Sequence, residues 1–162
     1  MSATDHLVAN NGAYAARFTK GKLPGRPATG VAVLACMDAR LDPARALGLE
    51  EGDAHVIRNA GGVVTDDAIR SLLISQRLLG TTEIVLIHHT GCGMTTFTDD
   101  AVKDDIEAET GVRPDFALGA FADVEADVRA SIARVKASPF LKADAVRGFV
   151  YSVETGLLRE VI

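Results

Sequence analysis

The sequence predicts an α/β fold with a mainly parallel central sheet, helices on both faces, an N-terminal helical arm and a C-terminal strand or hairpin. Short apolar runs of strand length alternate with segments of helical periodicity, which is typical of parallel sheets with crossover helices. The chain has 162 residues, 48% hydrophobic and 24% charged. We therefore expect one globular domain over residues 1–162, not two domains or a disordered chain.

The first 27 residues are predicted to form a helix and an extended arm. Apolar residues between 4 and 18 recur at helical spacing, although the segment Asn10–Gly12 weakens the pattern. Residues 19–27 contain two prolines, two glycines and three basic residues, which favours a linker. The residues alone leave two arrangements open: the helix folds back on its own domain, or it packs on a second subunit.

The first two predicted strands are followed by a helix. Residues 31–35 form a continuous apolar run, as expected for a strand buried on both faces, and residues 54–58 form the second strand. Thr65 can cap the helix that follows, and Gly80 is expected to end it. The rest of the chain continues the alternation with a strand, two helices, a strand and a returning hairpin strand, at residues 83–89, 99–110, 122–137, 147–153 and 157–161.

Charge and hydropathy argue against two classes of partner. Lys and Arg number 17 against 22 Asp and Glu, a net charge of -5, so the basic surplus typical of nucleic-acid-binding proteins is absent. No apolar run is long enough to span a membrane, and the first residues do not resemble a signal peptide. We therefore expect a cytoplasmic protein, in which a structural disulfide between Cys36 and Cys92 is improbable.

The two cysteines lie at the same predicted edge of the sheet as a histidine. Cys36 follows the first strand, and His89 and Cys92 follow the third, at the carboxyl ends where α/β sheets bind ligands. Two thiolates and one imidazole suit zinc, and three ligands leave a position for water, as in catalytic zinc sites. A redox pair of the two cysteines is an alternative, but it leaves His89 unexplained.

Asp38 and Arg40 follow Cys36 at spacings of two and four residues. An arginine fork can hold a carboxylate in one orientation, which would keep Asp38 ionised and aimed at the metal or its water. Two roles remain open: Asp38 orients the nucleophile, or it binds the metal as a fourth ligand in a closed state. A permanently closed site would make the protein a non-catalytic zinc scaffold.

Three motifs, in this order and at these intervals, resemble those of β-class carbonic anhydrases. They are Cys36-x-Asp38-x-Arg40, Arg58-Asn59-Ala60-Gly61 and His89-x-x-Cys92-Gly93. The resemblance implies reversible hydration of carbon dioxide to bicarbonate, a lyase reaction, by a hydroxide on zinc. It assigns zinc to the two cysteines and the histidine, and catalytic roles to the Asp38–Arg40 pair. It also implies a homodimer or larger oligomer in which the N-terminal helix reaches the partner subunit.

The chain departs from the family in its short length and in lacking a glutamine before Cys36, where plant-type members place one near the substrate; Gln76 is the only glutamine. The resemblance is therefore to a short, divergent bacterial-type subgroup. Backbone N–H groups at Gly61 and Gly62, with Val63 as an apolar wall, are the predicted substrate pocket. Some relatives of this fold hydrolyse carbonyl sulfide or carbon disulfide, which is the competing activity.

The ligand set also predicts a pH dependence. In carbonic anhydrase with three histidine ligands, zinc lowers the pKa of its bound water from about 15.7 to ~7. Two thiolates and one imidazole leave zinc with no net formal charge, so its water should be less acidic. We therefore expect activity that rises above neutral pH.

Overall fold

The computed structural model describes residues 1–142 and 145–162. The strands in these ranges are β1 (Val31–Cys36), β2 (Ala54–Asn59), β3 (Glu83–His89), β4 (Val146–Tyr151) and β5 (Leu158–Val161). The α-helices are α1 (Ala3–Ala15), α2 (Pro43–Leu47), α3 (Asp66–Arg77), α4 (Asp99–Thr110) and α5 (Val124–Ala137), and short 3-10 turns lie at Ala60–Gly62 and Gly93–Thr95.

The strands form one sheet in the order β2-β1-β3-β4-β5. Strands β1 to β4 are parallel to one another, and β5 returns antiparallel to β4 as the C-terminal hairpin. The α/β fold class is therefore confirmed. Among the helices of the described residues, none combines the length and apolar character that crossing a membrane requires.

Side-chain alternation along the strands separates two apolar clusters. On one face, Ala32 and Leu34 of β1 pack with residues of α3 and α5, including Leu72 and Val135. On the other face, residues such as Val33 pack with parts of α2 and with the loops after β1 and β3. Helices α3 and α5 therefore pack on one face, and the other face is covered by α2 and by the loops that carry the candidate site.

Several boundaries differ from the predictions by a few residues. Helix α1 ends at Ala15 and not at 18, and α3 ends at Arg77, before the turn that contains Gly80. The sequence did not predict α2, because a five-residue helix has no detectable period. Its local signal was present, since the Asp42 side chain accepts from backbone N–H groups of the first turn and Pro43 follows it.

Gly62 lies where the turn after β2 crosses the ends of β1 and β3. Its φ is +72°, and an added Cβ would lie 2.8 Å from the Ile87 carbonyl oxygen and 2.9 Å from the Cys36 nitrogen. We expect Gly62→Ala to lower the free energy of unfolding by about 3 kcal/mol, because it combines left-handed strain with backbone overlap. In thermal unfolding this corresponds to a loss of roughly 6–12 °C in Tm.

Gly25→Ala is the matched control, since no heavy atom lies within 4 Å of a Cβ built there and its φ is not positive. We expect its Tm to stay within about 2 °C of the wild type. Equal melting temperatures for the two variants would contradict the close packing inferred at Gly62.

Candidate active site

The parallel pairing of β1 with β3 brings Cys36, His89 and Cys92 together at the carboxyl edge of the sheet. All three are buried, and one ligand atom from each lies within 4.8 Å of the others. The two sulfur atoms are 4.0 Å apart. This Cys-His-Cys group can hold one metal ion.

The two consecutive histidines of β3 point to opposite faces of the sheet. His88 faces α5, where its Nε2 lies 2.7 Å from a carboxylate oxygen of Asp127. His89 faces the cysteines, and its Nδ1–H donates to the Thr90 carbonyl at 2.9 Å. Nε2 of His89 is buried and has no hydrogen-bond partner in the part of the chain that the structure describes. A buried imidazole nitrogen with a free lone pair beside two sulfurs fits a metal ligand.

The two thiols differ in how readily they ionise. Burial raises the pKa of Cys36, but interaction with His89 and with the backbone N–H groups of Asp38 and Gly61 outweighs burial and brings the pKa down to about 7. Burial raises the pKa of Cys92. Both thiols must lose their protons to bind a metal, so Cys36 is the easier of the two ligands to ionise.

Asp38 and Arg40 form the ion pair that the sequence predicts. Nε and Nη2 of Arg40 donate to the two carboxylate oxygens at 3.0 and 2.8 Å, and the Arg40 backbone N–H donates to one of them at 2.9 Å. The side-chain and backbone hydrogen bonds from Arg40 hold the pKa of the Asp38 carboxyl well below its usual range. The carboxylate faces the cluster, with one oxygen 3.7 Å from His89 Nε2.

Arg40 also joins the two loops of the site. Its Nη2 donates to the Gly91 carbonyl at 3.0 Å, so the segment after β1 is tied to the loop that follows His89 and carries Cys92. The pair therefore fixes the carboxylate relative to the ligand cluster.

The residues predicted for the substrate pocket lie beside this cluster. A Cβ built on Gly61 would lie 3.1 Å from Met94 and from Phe121, and 3.3 Å from Val63. The Gly61 backbone also helps to lower the pKa of Cys36, so this glycine lies beside a candidate ligand. The pocket role of Gly61, Gly62 and Val63 stays a prediction.

Comparison with known proteins gives the family of the chain. The family model described as "Carbonic anhydrase" matches residues 31–114. "Beta-carbonic anhydrase 1" of Mycobacterium tuberculosis is 57% identical over 162 residues, which cover 99% of this chain and 99% of the relative. The chain belongs to the β-class carbonic anhydrases.

Two further proteins are similar to this carbonic anhydrase over most of its length. The crystal structure of carbonic anhydrase from Streptococcus mutans superposes with a TM-score of 0.94 at 46% identity, covering 100% of this chain and 99% of the other. "Carbon disulfide hydrolase" of Acidithiobacillus thiooxidans is 38% identical over 149 residues, which cover 78% of this chain and 74% of the relative.

Sequence reasoning missed two apolar residues at the site of this carbonic anhydrase. Met94 and Phe121 belong to the same apolar cluster as the two cysteines. Met94 follows the Cys92-Gly93 motif directly, which was an available signal. Phe121 lies in a segment without helix or strand, so no periodicity marked it. Its contacts are tertiary and include the backbone hydrogen bond from its N–H to the Met94 carbonyl at 3.2 Å and a tilted ring contact with His88, with 5.5 Å between the ring centroids.

Proposed function

We propose that this chain catalyses the reversible hydration of carbon dioxide to bicarbonate, with zinc held by Cys36, His89 and Cys92. One observation carries the proposal: a buried Cys-His-Cys group with a free imidazole lone pair faces a carboxylate fixed by an arginine. Thiolate and imidazole donors match zinc. Bound zinc supplies a water molecule acidic enough to act as a nucleophile near neutral pH.

The chain's own residues position the reaction. The Asp38 carboxylate, ionised because of Arg40, would accept a hydrogen bond from the O–H of the nucleophile and so leave an oxygen lone pair free for the carbon of CO₂. A carbon–oxygen bond forms, one C=O π pair moves to oxygen, and a proton leaves to solvent or buffer. The Thr90 carbonyl keeps the proton of His89 on Nδ1, so that the lone pair of Nε2 would be available to hold the metal. Met94 and Phe121 present apolar surface beside the ligands, suited to an apolar gas.

Stopped-flow CO₂ hydration with a pH indicator tests this function, on protein of measured zinc content between about pH 7 and 9. We expect turnover proportional to bound zinc and rising with pH, because a neutral zinc–ligand set acidifies water less than three imidazoles do. Fully zinc-loaded protein with no turnover across this range would refute the proposal. A rate that falls as the pH rises would contradict the assigned ligand charge.

Hydrolysis of carbonyl sulfide or carbon disulfide is the second candidate, favoured by the 38% identity to "Carbon disulfide hydrolase". The same zinc centre and Asp38 can direct a nucleophile at the carbon of either gas. Paired kcat/KM values for CO₂ and carbonyl sulfide, on one zinc-loaded preparation, separate the two. A preference for carbonyl sulfide would make it the main activity.

We also propose that the protein is a homodimer in which the arm formed by residues 1–27 packs on the partner subunit. Helix α1 buries no residue in the protomer. Leu7, Val8 and Phe18 in or just after it expose 69, 67 and 46% of their surface. An isolated helix of 13 residues is only marginally stable in water, so a second copy of the chain that covers these side chains would explain why α1 is stable.

The cytoplasmic location of the protein stays a prediction.

The double variant Leu7→Asp, Val8→Asp is expected to shift the protein from dimer to monomer, because it places two charges in the proposed interface. Sedimentation velocity at micromolar concentration measures the change. Asn10→Asp, Asn11→Asp is the control, because it adds the same two charges at exposed positions of the same helix without removing an apolar side chain. A wild-type protein that sediments as a monomer, or a double variant that stays dimeric, would contradict this use of α1.

A further inference from the structure

We propose that Arg58 is a positioning residue for the reaction, because its guanidinium binds three backbone carbonyls of the turn that carries Cys36 and Asp38. This inference rests on the proposed function and adds to it a residue that touches neither metal nor substrate. It concerns the shape of the segment between the end of β1 and the start of α2.

The guanidinium of Arg58 donates to backbone carbonyls of one turn. Nε and Nη2 donate to the Cys36 carbonyl at 3.0 and 2.8 Å, and Nη2 also donates to the carbonyls of Asp38 and Leu41, each at 2.8 Å. No carboxylate oxygen within residues 1–142 and 145–162 lies in ion-pair distance of Arg58. Its charge is therefore directed at carbonyl dipoles of one turn.

These hydrogen bonds stabilise the conformation of the turn, and the reason is electrostatic. Three carbonyl oxygens that converge on one point repel one another unless a cation lies between them. Hydrogen bonds from a charged donor are stronger than those between neutral groups. Without the guanidinium, the backbone bond from Met37 N–H to the Asn59 carbonyl, at 2.8 Å, is the main remaining tie between this turn and β2. The turn would relax, and the Cys36 sulfur and the Asp38 carboxylate would move relative to His89.

A planar fork is required for this task. Lysine carries the same charge but concentrates it on one nitrogen, and it does not reproduce the spaced Nε and Nη2 donors of arginine. Arg58 is itself exposed, and β1 and β2 keep their own ladder of backbone hydrogen bonds. Removal of the guanidinium should therefore alter the turn while leaving the sheet folded.

The test compares Arg58→Met and Arg58→Lys with wild type and with Arg45→Met. Arg45 lies on α2 with a side chain 90% exposed, so its replacement removes a nearby charge without touching the turn's carbonyls. Three quantities are measured: kcat and KM for CO₂ hydration, the rate of zinc transfer to a colorimetric chelator, and the visible absorption spectrum of the cobalt(II)-substituted protein. Thermal unfolding of each variant gives its stability.

For both Arg58 variants we expect kcat to fall about 10- to 100-fold, the range found when groups that orient metal ligands are removed. KM should stay within about twofold, zinc transfer should accelerate at least about tenfold, and the cobalt absorption bands should shift. Arg45→Met should match the wild type in all three. Arg58 variants with wild-type kcat, zinc transfer and cobalt spectrum, whether or not their Tm falls, would overturn the inference.

Restoration of kcat by lysine would also overturn it, because charge alone would then suffice. If wild-type protein with full zinc does not hydrate CO₂, the proposed function fails. Zinc transfer and the cobalt spectrum then still decide whether Arg58 shapes the turn, so the two failures are distinguishable.

Discussion

Replacement of His89 by alanine is expected to remove zinc and to lower CO₂ hydration at least about 1,000-fold, since the metal-acidified nucleophile is lost with the metal. His89 supplies the one ligand nitrogen of the cluster, and its Nε2 has no other partner among the described residues. The two cysteines alone leave two positions of the tetrahedral site unfilled. Zinc content by atomic emission and stopped-flow rates on the same sample measure the two losses together.

His88→Gln is the matched control for this prediction. His88 neighbours His89 in sequence but faces α5, where it pairs with Asp127. We expect this variant to keep one zinc per chain, although the loss of a buried contact lowers its Tm. A His89→Ala protein that retains zinc, or a His88→Gln protein that loses it, would show that the ligand assignment is wrong.

Asp38→Asn is expected to lower kcat/KM about 100-fold while zinc stays bound. The amide keeps the size of the side chain but removes the charge that pairs with Arg40 and one of the two acceptor oxygens. The nucleophile would then lack its fixed acceptor, an orienting effect that is worth about 10- to 100-fold when such groups are removed from metal sites. Stopped-flow rates at several CO₂ concentrations, with zinc content measured in parallel, check this result.

Asp38→Ala separates the two roles that the sequence left open. If the carboxylate orients the nucleophile, this variant loses activity as the asparagine variant does. If Asp38 permanently closes the metal site, its removal opens a coordination position and activity rises. An increase would favour the non-catalytic zinc scaffold for the wild-type chain.

The dependence of wild-type activity on pH can be separated from the ionisation of Asp38. The hydrogen bonds from Arg40 place the pKa of the folded carboxyl below the ordinary value of about 3.9. The stabilisation from this pair is therefore present above that ordinary value and is lost as the pH falls through the lower folded pKa. Asp38 stays ionised between pH 7 and 9, so a rise in activity across that range belongs to the metal site and should persist in Asp38→Asn.

The strand and helix order was predictable from sequence because long elements carry strong periodic signals. The apolar run at 31–35 and the capped helix after Thr65 appear in the structure with boundaries shifted by one to three residues. Short elements such as α2 were missed, because five residues do not complete a periodic pattern. Their signals are caps and turns, as at Asp42.

The grouping of the candidate ligands also followed from sequence. Cys36 lies at the end of β1, and β3 ends at His89, with Cys92 three residues beyond. Parallel strands bring their carboxyl ends to one edge, so motif spacing was enough to place these residues together. The same rule cannot give side-chain contacts, since those depend on how loops pack.

By itself, the sequence determined the fold class, the family motifs and the edge of the sheet at which the chemistry lies, because these depend on local periodicity and residue order. Only the tertiary structure decided that His89 keeps a free Nε2, that Arg40 joins the loops after β1 and β3, and that Arg58 gathers three carbonyls. These contacts link residues far apart in the chain. Their distances are set by packing of loops against the sheet, which no local pattern encodes.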